Sequence, residues 1–101
     1  MTTIHTLSEL DGEPHARVFP DAEPKTIRLT LSAGEEVPQH SHPDREIVLY
    51  LVSGTIELQV GEETDTLTAG DVARFDGDHQ ISPRALEAST ALLVLARRST
   101  E

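Results

Sequence analysis

Short segments with every second residue apolar, separated by glycines, restrict this chain to β-structure more than any other feature. In Thr26 to Leu31 the apolar positions are Ile27, Leu29 and Leu31; in Thr55 to Val60 they are Ile56, Leu58 and Val60. A period of two places alternate side chains on opposite faces of a strand, one toward a core and one toward solvent. Ile47 to Val52 is apolar throughout, rich in β-branched and aromatic types, and too short for a helix. It is expected to be a strand buried on both faces. Further strands are expected over Ala16 to Phe19, Thr64 to Leu67, Gly70 to Phe75 and Ala91 to Leu95. Ile81 to Leu86 is ambiguous because Pro83 interrupts it. Gly34, Gly54, Gly61 and Gly70 punctuate the series, and no stretch has the spacing and cap of an amphipathic helix. The pattern predicts an all-β sandwich or barrel.

The length of 101 residues suits one domain with an adequate core. Residues 1–14 read as an N-terminal arm and residues 15–101 as the domain. Cysteine is absent, which excludes disulfides, thiolate metal sites and cysteine nucleophiles. No apolar run reaches the ~20 residues that span a bilayer, and the start lacks the pattern of a signal peptide, so the expected location is cytoplasmic. Eighteen acidic residues against eight basic ones give a formal charge of −10, which repels nucleic acid over most of the surface. Lys25 is the one lysine. An acidic, lysine-poor chain suits a high-salt environment, or is simply an acidic protein.

His40 and His42 are two apart, so on an extended segment both imidazoles face one way. Glu46 follows within one turn, and His79 comes from a separate hairpin region after Asp76, Gly77 and Asp78. Imidazole and carboxylate together suit iron, manganese, nickel, cobalt or zinc, so these four residues are expected to hold one divalent transition metal. Asp76 and Asp78 are placed to orient His79, or form a plain acidic turn. His5 and His15 lie in the poorly patterned start and are expected to be solvated. Arg28, Arg74 and Arg84 either reach a binding cavity or pair with surface acids, and Tyr50 either packs or donates to a bound ligand.

These residues resemble the motifs of small single-domain cupins. Gly34, five residues, His40, Ser41, His42, three residues and Glu46 follow the family's first motif. Seven residues, where the family has six, then lead to Gly54, which sets Ile47 at the usual glutamate position unless a bulge absorbs the difference. The second motif is matched from Gly70 to Phe75, with Asp76 in place of the proline and His79 two residues early.

The resemblance covers roughly Thr26 to Arg97 and implies a double-stranded β-helix, the jelly-roll barrel of cupins. It also implies a metal-dependent oxidoreductase of dioxygenase type acting on a small organic substrate. In that reading His40, His42, Glu46 and His79 are ligands, Glu46 is also the catalytic base, and Tyr50 and Arg74 contact substrate. A metal-dependent isomerase or decarboxylase is the rival enzyme. A non-catalytic small-molecule-binding or metal-binding module, sensory in role, is the alternative outside catalysis. A homodimer is expected, formed through the N-terminal segment and Ala91 to Leu95.

Overall fold

The protein is described here from a computed structural model covering residues 2–98. A 3-10 turn at Leu7–Glu9 precedes eight strands: β1 (His15–Arg17), β2 (Lys25–Leu31), β3 (Arg45–Ser53), β4 (Thr55–Val60), β5 (Glu63–Thr68), β6 (Val72–Asp76), β7 (Ile81–Ala85) and β8 (Ser89–Arg97). They form two antiparallel sheets, ordered β1-β2-β8-β3-β6 and β5-β4-β7. Residues 36–40 extend the smaller sheet beyond β7 through isolated bridges, Glu36 to Arg84 and His40 to Ile81. Pro83 therefore lies inside a strand, and its carbonyl accepts from the Val37 N–H at 3.0 Å.

The jelly-roll barrel implied by the resemblance does not form. Among the described residues no ladder joins an edge of one sheet to an edge of the other. The molecule is an open sandwich with two seams. One lies between β1 and residues 36–42, the other between β6 and β5.

The core is the alternation of the sequence made physical. Ile27, Leu29 and Leu31 of β2, Ile47, Leu49 and Leu51 of β3, Ile56 and Leu58 of β4, and Ala91 and Leu95 of β8 all face inward and are buried. Burying each large side chain contributes about 1.5–3 kcal/mol. β3 departs from expectation: only alternate residues are buried, while Val48, Tyr50 and Val52 stand exposed on the outer face. Together with Val72 they leave an apolar surface on the larger sheet.

The arm lies against β2. Arg28 is 6% exposed and donates to the carbonyls of Leu7, Leu10 and Gly12 at 2.5, 3.1 and 2.8 Å. No helix among the described residues is long and apolar enough to cross a membrane.

Candidate functional site

Inward-facing positions at the first seam are polar because the sheet ends there. In the register of β1 with β2, His15 is opposite Leu29 and Arg17 opposite Ile27, so both share the inner face. Lys25, opposite Leu95, is on that face too. Across the seam, residues 36–40 present Val37, Pro38 and His40, and His42 follows. The His40 Nδ1 lies 2.9 Å from the Pro38 carbonyl oxygen. A carbonyl only accepts, so Nδ1 donates and Nε2 is left as the ring's other polar atom. The His40 and His42 rings meet edge to face with centroids 4.9 Å apart.

Glycine sets the position of His42. The Gly77 carbonyl accepts from the His42 N–H at 2.7 Å, and the Gly77 N–H donates to Arg45 at 2.8 Å. A Cβ at Gly77 would lie 2.4 Å from the His42 carbonyl oxygen, so a larger residue forces the histidine loop away.

His15, His40 and His42 stand at the mouth of a cavity of about 20 Å³ between the sheets, with Ile47, Leu49 and Leu95 among its walls. The same three histidines also line a groove of about 500 Å³, with Arg17, Lys25, Ile27 and Val37. Partial burial holds the His42 pKa down to about 4, and His40, Lys25, His15 and Arg45 add to the effect. Burial also lowers the His15 pKa, with smaller contributions from His40 and Lys25. The lowered values favour the uncharged forms of the His15 and His42 rings near neutral pH, and Lys25 and Arg17 bring positive charge to the groove.

The four expected ligands do not converge. Among the described residues no three histidine, cysteine, aspartate or glutamate side chains come together to hold a metal. Glu46 is in the outward phase of β3, opposite Asp76, and accepts from Arg74 at 2.7 Å. Ile47 occupies the inward position instead, with no exposed surface. A bulge is present between Leu51 and Ser53, yet it leaves Glu46 on the outer face. His79 is exposed and turns toward Gly61 at the opposite seam. Asp78 and Asp76 are engaged by Arg98 rather than by His79.

A divalent metal held by His40, His42, Glu46 and His79 is therefore overturned, because the donors lie on different faces of the sandwich. The dioxygenase, isomerase and decarboxylase readings that needed this metal, with Glu46 as its base, go with it. Tyr50 and Arg74, the expected substrate contacts, are placed together on the outer face, around the pairs Val48 to Arg74 and Tyr50 to Val72. Arg28 holds the arm, and Arg84 lies 3.9 Å from Glu57. His15, expected to be solvated, is exposed, and it stands with His40 and His42 at the first seam, a placement that comes from the pairing of β1 with β2.

The sequence matches the Cupin domain family over residues 27–95. No functionally curated protein matches the chain. A conserved Klebsiella pneumoniae protein with a double-stranded β-helix domain superposes with a TM-score of 0.81 at 19% identity, over 100% of this chain and 95% of that one. The Cupin_2 domain of an XRE family transcriptional regulator from Enterobacter cloacae gives 0.75 at 19% identity, over 84% of this chain and 96% of that one. An RmlC-like cupin from Shewanella frigidimarina gives 0.66 at 19% identity, over 72% of this chain. The chain spans 65% of that protein's length. At these identities the likeness is one of fold, while the family match reaches from within β2 to near the end of β8. This chain belongs to the Cupin domain family.

Proposed function

We propose that the protein is a non-catalytic small-molecule-binding module, sensory in role, and that the groove at the histidine seam takes a small organic anion. The observation that carries this reading is the lining of the groove. Lys25 and Arg17 stand beside His15 and His42, whose lowered pKa values favour the uncharged rings, over an apolar wall, and no acidic side chain among the described residues lines it. In a chain of charge −10 that is a local reversal. A carboxylate would be held by the two cations, its apolar body would cover Ile27 and Val37, and the Nε2 of His40 would face a polar substituent. The volume of about 500 Å³ suits a metabolite-sized guest. The cupin domain of the Enterobacter cloacae regulator is a fold relative found within a regulatory protein.

Residues 15–101 form the binding domain in this proposal, with residues 1–14 as its arm, and the module works in the cytoplasm. The test is amide-detected NMR titration with a series of short carboxylates such as butanoate and hexanoate. Saturable shifts at residues 15–27 and 37–42, weakened about tenfold by Lys25→Gln, are expected. Equal affinity for hexanol, or no loss in Lys25→Gln, would overturn the reading.

A homodimer is also proposed, through the outer face of the larger sheet. Val48, Tyr50, Val52 and Val72 are 38–63% exposed there, and Glu46 is neutralised by Arg74. Two chains of like charge can approach across that neutral apolar face without opposing their carboxylates. Sedimentation velocity should show a dimer for the native chain and a monomer for Tyr50→Arg/Val72→Asp.

A further inference from the structure

The second seam has the same architecture as the first and the opposite charge. In the register of β4 with β5, Ile56 is opposite Leu67, Leu58 opposite Asp65, and Val60 opposite Glu63. Ile56 and Leu58 face the core, so Asp65 and Glu63 occupy inner-face positions of β5, where a sandwich strand ordinarily carries apolar residues. Across the seam, Ala73 and Phe75 of β6 are opposite Leu49 and Ile47, so they face inward as well. Between these strands lies an open cleft of about 740 Å³. Its floor is apolar: Val60, Leu67, Ala73 and Phe75 are partly buried against the core.

Three of the carboxylates that line the cleft have no cationic partner among the described residues. Asp65 and Glu63 form no ion pair among the described residues, and neither does Glu62 beside them. Arg74 lines the cleft, but its guanidinium is engaged by Glu46 at 2.7 Å. Asp76, also in the lining, is paired with Arg98. His79 stands at the Gly61 end of the cleft. Asp65 and Glu63 are two residues apart on one face, roughly 7 Å by strand geometry. That is close enough for one cation to sit between them.

We infer that this cleft binds an organic cation with an apolar body, of the alkylammonium class, with the ammonium between Asp65 and Glu63 and the hydrocarbon on Phe75 and Leu67. Neither half of the cleft explains such a ligand alone. Carboxylates without the floor would attract any counterion, and the floor without the carboxylates would not discriminate charge. Together they require both features in one molecule, and the volume falls in the range of metabolite sites. The inference does not depend on the anion groove at the other seam. With both in place, the sandwich carries one site of each sign, one per open edge.

The test is NMR titration of the full chain with ethylammonium, butylammonium and hexylammonium chloride in 150 mM sodium chloride, with hexanoate and hexanol as probes of the same length. Saturable shifts over residues 58–67 and 73–79 are expected, with affinity rising along the ammonium series. Glu63→Gln/Asp65→Asn should weaken hexylammonium about tenfold, whereas Glu35→Gln, a remote acid, should leave it unchanged. Both acids are exposed, so the double variant retains its core, and an unchanged amide spectrum outside the cleft checks this. Affinity independent of chain length, shifts spread evenly over acidic surface residues, hexanol binding as tightly, or an unaffected double variant would each overturn the inference. Hexanoate shifts at residues 15–27 and 37–42 report separately on the anion groove, so either site can fail without the other.

Discussion

His42 sits partly buried beside His40, His15 and Lys25, and all of these disfavour its charged form. Its ring should titrate near pH 4, measured by the histidine Cε1–H chemical shift. Lys25→Gln removes one of the causes and should raise that value, while a carboxylate bound in the groove should raise it further by stabilising the imidazolium. A value of 6.5 in the native chain would mean that the ring is solvated and the seam is not formed as described. Glu46 and Ile47 show at the same scale how one position decides chemistry. The side chain that faces inward is isoleucine, and the carboxylate one residue earlier is turned to the opposite face and to Arg74.

At the scale of elements, the arm depends on a single residue of β2. Three arm carbonyls accept from the buried Arg28 guanidinium, and among the described residues no other side chain donates to them. Arg28→Met should release the turn at Leu7–Glu9 and lower stability by about 2 kcal/mol, read from urea unfolding, with hydrogen exchange at residues 7–13 rising first. Arg28→Lys should restore little of this, because one ammonium cannot reproduce the forked geometry. β2 and β4 were legible from their strict alternation, and the core residues with them. β3 was legible as a strand but not in its exposure. An apolar residue at every position does not say which face the other sheet covers, and here only one face is covered. β1 was expected over Ala16 to Phe19 and forms over His15–Arg17; three residues carry no period, so its bounds and its inner face come from pairing with β2.

At the scale of the whole molecule, acid should destabilise the fold in two stages. The native pKa of His42, about 4, lies below the ordinary 6.5 of an unfolded histidine, so the native state binds fewer protons between those values. Stability contributed by the uncharged ring is present above pH 6.5 and falls as pH drops toward 4. Glu23 and Asp78 have the usual carboxylate sign. Arg45 beside Glu23 and Arg98 beside Asp78 hold their pKa values below the ordinary 4.5 and 3.8, so their contribution is lost only at lower pH. Chemical unfolding across pH 7 to 3 should show both stages, and His42→Gln should shrink the first, to which His15 also contributes, while sparing the second. A single loss confined to below pH 4.5 would contradict the assignment. The alternation of apolar residues and the glycine turns were enough to determine an all-β chain, because periodicity is a local property, and the motif from Gly34 through His40 and His42 carried the resemblance to cupins. Which polar side chains meet is not local. That depends on the two sheets staying open at their edges, which leaves inner-face positions of β1 and β5 in water. His15 therefore joins His40 and His42, His79 goes to the other seam, and cations and carboxylates are sorted to opposite edges of the sandwich.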